Sequence, residues 1–324
     1  MKKKGTYVIR VDHLRALLTG QNTRQGLWLL PLIVAVAIAV VLAFRSDTFA
    51  TAQNVQNLIA QASPLLLASL GQLMVVLVGG LDLSVGAVIS LTTAILTSGL
   101  PAWLVLPCAF GAAALIGLVN GVAVTRLNVH PIIATLSTMS LIQGATLVLL
   151  PVAGGTVPDF ILAMAGATPL GIPMPVLWTL LAAVCGWKLI HGSRFGLHLF
   201  AVGGGLDVAR SHGIQVDRIV ISAYVLSSSF AAAAGVFLAG RIASGDPKIG
   251  ELFAIESITA VALGGVQLAG GVGSVPGAIT GVAFLALLAN GMNLENVSAF
   301  LQTVIKGLIL LVVIALQPRK NIGL

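Results

Sequence analysis

Ten apolar runs divide this chain, at residues 27–44, 56–79, 83–100, 102–124, 131–150, 173–190, 219–240, 253–269, 276–293 and 299–316. A helix needs about 20 predominantly apolar residues to cross a bilayer. Runs of that length, one after another, restrict the chain to a bundle of membrane-spanning helices. Composition agrees: 57% of residues are hydrophobic and only 8% are charged, against about 25% charged in a soluble domain. The fold class expected is therefore an all-α integral membrane protein of about ten transmembrane helices with glycine-rich helix breaks. Its parts are a basic tail at 1–26, a transmembrane domain at 27–317 and a short end at 318–324.

The net charge of +7 is a topology signal rather than a nucleic-acid footprint. Lys2, Lys3, Lys4, Arg10, Arg15 and Arg24 precede the first run, and Arg319 and Lys320 follow the last. Arg126, Lys188, Arg194, Arg210 and Arg218 fall on the same side, whereas the other side holds only Arg45, Arg241 and Lys248. By the positive-inside rule both termini are cytoplasmic. The run at 27–44 exceeds the roughly 7–15 residues of a signal-peptide core, and no small-residue cleavage site follows it, so it reads as the first span. Trp28, Trp103, Trp178 and Trp187 sit near expected span ends, as interfacial anchors do.

Chemistry of catalysis is missing. There is no G-x-x-x-x-G-K-[ST] phosphate loop and no G-x-S-x-G elbow. The five histidines are scattered without metal-ligand spacing. Cys108 and Cys185 lie in apolar runs and read as free thiols. Only Asp82, Glu256 and Lys306 are intramembrane ionisable candidates, a thin set for an ion-coupled carrier. Lys306 either snorkels, pairs with a carboxylate such as Glu256 or Asp82 or with helix-end carbonyls, or touches substrate. Asn120, Asn290, Asn293 and Gln302 read first as interhelical hydrogen-bonding groups, and Gly117, Gly121, Gly277 and Gly281 as close-packing faces.

Residues 77–86, LVGGLDLSVG, place one acid between glycines inside apolar sequence. Gly79 and Gly80 can break a helix. Asp82 and Ser84 suit the N-cap of a helix starting near Val85, just before Gly86. Two readings stand: a capped turn at the membrane edge, or a broken helix beside a transport path. A second break, residues 264–277 (GGVQLAGGVGSVPG), shares the same glycine chemistry. Two loops stand out. Residues 151–172 have room for a small interfacial helix. Residues 191–218 form the largest cytoplasmic loop, in which GLDVARSHGI reads as a short helix with Leu206 and Ala209 on one side and Asp207 and Arg210 on the other. That loop is either a docking element or a solvated connection.

Five stretches, in order, resemble the permease subunits of bacterial ABC importers for monosaccharides, the ribose, xylose and arabinose-type group. They are GGLDLSVG (79–86), GLVNGVAVTRLNVHPIIATLSTM (117–139), SRFGLHLFAVGGGLDVARSHGI (193–214), VALGGVQLAGGVGSVPGAITG (261–281) and LANGMNLENVSAFLQTVIKGLIL (288–310). The similarity runs from about residue 50 to 317. Departures fall at Val266 and Gln267 (usually Thr-Ser), Val272 (commonly Arg or Lys), Ala254 (usually acidic) and His130 (often Pro).

The resemblance implies a multi-pass subunit of the bacterial inner membrane that moves a monosaccharide and is not itself an enzyme. It needs no cofactor, because a cytoplasmic ATP-binding subunit supplies the energy. A periplasmic sugar-binding protein delivers the sugar, and a second permease chain, identical or homologous, completes the path within membrane lipid. It implies ATPase docking at Arg194, Gly196, Gly203, Gly204, Leu206, Ala209, Arg210 and Gly213. Pathway or break candidates are Gly79, Gly80, Asp82, Ser84, Gly86, Asn120, Glu256, Asn290 and Lys306. With 5% aromatic residues, no tight sugar site is expected in this subunit. The rival readings are a stand-alone ion-coupled secondary carrier and a non-transporting scaffold.

Overall fold

The computed structural model describes residues 29–316, all helical apart from short connections. The basic tail, Trp28 and the last eight residues lie outside the described residues, and with them most of the charge asymmetry. In order the helices are α1 (Leu29–Arg45), α2 (Ala52–Leu77), α3 (Val85–Leu96), α4 (Ala102–Thr125), α5 (Pro131–Leu149), α6 (Asp159–Gly166) and α7 (Met174–Ile190). They continue as α8 (Arg194–Gly204), α9 (Leu206–Ser211), α10 (Val216–Ile242), α11 (Phe253–Leu263), α12 (Val275–Leu294) and α13 (Ala299–Leu316).

Each of the ten apolar runs contains one of these helices, but they are not ten full spans. Six are long and apolar enough to cross a membrane, or seven if the 159–171 segment and α7, bent by 97°, count as one. α3 has 12 residues and α11 has 11, about 18 Å at 1.5 Å per residue, against a hydrocarbon core of about 30 Å. The expected full spans at 83–100 and 253–269 are therefore corrected to short helices. The cause is local. Gly99 has φ +78° ahead of Pro101, and Gly265, Gly270 and Gly271 have φ between +78° and +87°. These residues are apolar or small, so they extend a hydropathy run without extending a helix. Backbone leaving the helix inside the bundle must find internal partners. It does: Gly80 N donates to Val75 O (2.9 Å), Gln267 N to Val272 O (2.9 Å) and Gly271 N to Leu77 O (3.0 Å).

α2 and α10 form the centre, and α3, α4 and α12 close around them. Small residues set the spacing. A β-carbon on Gly117 of α4 would lie 2.5 Å from Tyr224 O, and one on Gly121 2.7 Å from Ile221 Cα. Gly277 and Gly281 of α12 meet backbone carbonyls of Gly264 and Ala260 in the same way. These four glycines are thus helix-contact points, as small residues are where lipid supplies no hydrophobic drive for association. Asn54 and Asn290 exchange two amide hydrogen bonds of 3.1 and 2.8 Å, tying α2 to α12.

One further expectation changes. Trp178 is not a simple interfacial anchor. Its indole Nε1 donates to Met164 O (2.6 Å) and its ring meets Phe237 edge-on at 5.9 Å, so it locks α6 and α7 onto α10. The short helix expected at GLDVARSHGI is α9, in which Ala209 is buried and Leu206 half exposed. The 151–172 loop does hold a short helix, α6, and both cysteines are free thiols.

Candidate functional site

The first break is built around Asp82, which is fully buried. Its Oδ1 accepts from Ser84 N (3.0 Å) and from Ser84 Oγ, and its Oδ2 accepts from Ser227 Oγ (2.9 Å). The first of these is an Asx turn two residues long. Ser84 occupies the N-cap position of α3 but makes no side-chain cap, because its hydroxyl is used elsewhere. Asn120 Nδ2 donates to Ser84 Oγ (2.9 Å), and Thr138 Oγ1 donates to Asn120 Oδ1 (2.7 Å). Thr135 Oγ1 donates to Leu81 O (3.2 Å). The Gln72 carboxamide, oriented by its partners, donates to Asp82 O (3.0 Å) and accepts from Asp82 N (3.1 Å). The carboxylate itself ties Ser84, at the start of α3, to Ser227 of α10, and the network around it brings in α2 through Gln72, α4 through Asn120 and α5 through Thr135 and Thr138.

Glycine is required around it. Gly79 has φ +84°. A β-carbon on Gly80 would stand 2.6 Å from Tyr224 Oη, and one on Gly86 would overlap Gly250 O. Gln72, Thr135, Thr138, Tyr224 and Ser227 were not singled out in the sequence. Their one signal there is a polar group inside an apolar run.

The two breaks meet at α8. A β-carbon on Gly203, near the end of α8, would overlap both Leu77 O and Gly271 N. One on Gly270 would lie 2.9 Å from Gly79 N. The end of α2, the end of α8 and the 264–274 turn therefore close on one another through backbone alone.

α8 starts on a Ser193 cap, whose Oγ accepts from Gly196 N (3.1 Å), and Gly196 packs on Ile190 O. Leu199, Val202 and Gly203 are buried against the bundle. The opposite side is open. Leu197, His198, Ala201, Val208 and His212 line a groove of about 570 Å³ between α8 and α9. Leu197 and Val208 are more than 60% exposed. Arg194, Gly204 and Gly213 are exposed nearby. Arg210 lies 3.8 Å from Asp217, with both side chains more than half exposed, so this pair adds little stability.

At the other end of the bundle Lys306 Nζ meets Glu256 Oε1 at 2.7 Å, with side chains 19% and 16% exposed. Of the three pairing partners open to Lys306, the structure brings Glu256 to it and leaves Asp82 in its own network. Lys306→Met is expected to cost about 2–4 kcal/mol, since breaking a buried pair strands the partner charge. Adding Glu256→Gln is expected to recover most of that loss. Thermal unfolding of the detergent-solubilised chain reads both; equal stability of Lys306→Met and the native chain would contradict the pairing.

The family model for "Branched-chain amino acid transport system / permease component" matches residues 54–314. The chain is 36% identical to the ribose import permease protein RbsC of Bacillus subtilis, over 90% of this chain and 92% of that protein. It is 34% identical to the ribose import permease protein RbsC of Escherichia coli K12, over 90% and 93%. It is 30% identical to the galactose/methyl galactoside import permease protein MglC of the same strain, over 89% and 93%. No solved structure gives a significant match. The permease of such an importer works with an ATPase subunit, which binds the ATP, and with a binding protein. A helical bundle with several helices long and apolar enough to cross a membrane, aligned with these proteins over about nine-tenths of its length, belongs to the permease family of bacterial ABC importers, as a multi-pass, non-catalytic membrane subunit.

Proposed function

We propose that this chain carries a monosaccharide across the inner membrane, driven by ATP hydrolysis at a cytoplasmic subunit docked on α8 and α9. The sugar follows from the relatives: ribose and galactose import permeases align with about nine-tenths of the chain. Both termini are cytoplasmic, ten helical segments lie in the membrane with α3 and α11 as half-length members, and a second permease chain completes the path. Arg194, Gly196, Gly203, Gly204, Leu206, Ala209, Arg210 and Gly213 belong to the docking region.

The observation that carries the docking assignment is the two-sided build of α8. One side is wedged against both glycine breaks, and the other opens a groove with exposed apolar residues and Arg210 at hand. A push on the groove has a direct backbone route to Leu77 and Gly271. An ion-coupled carrier is less well supported. Glu256 and Lys306 neutralise each other, and Asp82 is engaged by three hydrogen bonds.

The test is Leu206→Asp combined with Arg210→Glu. Both side chains are exposed, so the double variant is expected to insert normally, lose the ATPase subunit on purification and reduce sugar uptake to background. Uptake at the native rate would contradict docking at α9.

A further inference from the structure

At the end of the bundle away from α8 and α9 there is a cavity of about 190 Å³ between α2, α10, α11, α12 and α13. Arg241, on its wall, stands 25 residues beyond Val216 on one unbroken helix, about 37 Å from the docking end at 1.5 Å per residue. Gln61, Arg241 and Asn293 are exposed at its mouth, and Glu256, Gln302 and Lys306 are half-buried deeper in. The volume is that of about six water molecules at ~30 Å³ each, on the scale of one small polar molecule.

One ion pair and several hydrogen bonds already hold the polar lining in place. Lys306 holds Glu256 at 2.7 Å, and Arg241 Nη1 donates to Ala60 O at 3.0 Å. Gln302 Nε2 is committed to Asn293 Oδ1 (2.8 Å) and Val297 O (3.0 Å). A neutral polyol can bind here with the Glu256–Lys306 pair left intact. Each hydroxyl of such a ligand both donates and accepts, and the lining offers both: carboxylate and amide oxygens, ammonium, guanidinium and amide N–H groups. Only Phe253 contributes an aromatic ring.

We infer that this cavity is a transit site for a single neutral monosaccharide, which Gln61, Arg241, Glu256, Asn293, Gln302 and Lys306 receive at the outer end of the path. The inference rests on the importer reading above and adds to it the place of first contact. Binding is weak, as a conducting site requires: strong enough to enter, loose enough to leave. That agrees with the scarcity of aromatic stacking surface.

The test uses the complete importer, permease with its ATPase subunit and binding protein, in proteoliposomes, with D-ribose and D-galactose as probes. Asn293→Leu and Gln302→Leu remove hydroxyl partners without touching the ion pair. Sugar moved per ATP hydrolysed is expected to fall about tenfold in each, the scale of one net hydrogen bond lost to a ligand hydroxyl. A ratio within twofold of the native complex overturns the site. A second readout does not depend on turnover: Asn293→Cys in a chain carrying Cys108→Ser and Cys185→Ser, labelled with a membrane-impermeant thiosulfonate. Saturating transported sugar is expected to slow labelling several-fold; no protection overturns the site while leaving the importer reading standing. A native complex that hydrolyses ATP but moves neither sugar overturns that reading, and the inference falls with it.

Discussion

A Gly203→Val chain is expected to fail to accumulate as folded protein in the membrane. The first side-chain carbon at this position would overlap Leu77 O and Gly271 N. Both are backbone atoms, and they already share a 3.0 Å hydrogen bond. Overpacking a core with a side chain typically costs 1–3 kcal/mol because neighbouring side chains can shift. Here two helix breaks would have to move instead, so a loss above about 4 kcal/mol is expected, at the severe end for a single substitution. Gly204→Ala is the control. Nothing lies within 4 Å of a β-carbon there, and alanine is favoured over glycine in a helix by up to about 1 kcal/mol. Size-exclusion profiles and membrane levels of the two variants read the difference. Equal behaviour would mean that α8 is not locked to the breaks.

Asp82→Ala has the second largest expected effect. It orphans Ser84 N–H, Ser84 Oγ–H and Ser227 Oγ–H inside the bundle. Each unsatisfied buried donor costs about 1–3 kcal/mol, so a combined loss on the order of 4 kcal/mol is expected after partial relaxation. Asp82→Asn keeps the shape and one acceptor oxygen, and is expected to lose about half as much. Thermal unfolding in detergent measures both. If Asp82→Ala unfolds with the native protein while transport is lost, the carboxylate serves the pathway and not the junction of five helices.

Much of the architecture was legible because hydropathy in a membrane protein reports which segments leave water. Run 131–150 is α5 at Pro131–Leu149, and run 299–316 is α13 to the residue. Half-length helices were not legible, because residues 97–100 and 264–269 are as apolar or small as helical sequence while their glycines turn the backbone away. The two breaks looked alike in sequence but gave no sign of touching. Gly79 and Gly270 are 191 positions apart, and a backbone contact leaves no side-chain signature. Asp82 was conspicuous as an acid in apolar sequence, yet its role depends on Gln72, Asn120, Thr138 and Ser227, each ordinary alone. The Glu256–Lys306 pair stood among several alternatives until the packing of α11 on α13 fixed it. Spacing places Leu206 and Ala209 on one side of α9 but does not say how deeply each is buried. With a helix of six residues, the bundle beside it decides burial, and it took only Ala209.

We propose above that this permease works through α8 and α9 on an ATPase partner to import a monosaccharide. The most direct test is gentle detergent extraction of the chain from its native membrane, identification of co-purifying proteins by mass spectrometry, and an ATPase assay on the complex. An ATP-binding subunit in the complex and hydrolysis stimulated by a sugar-loaded binding protein are the expected results. Recovery of the chain alone, even after cross-linking, with sugar uptake that follows an ion gradient, would contradict the proposal.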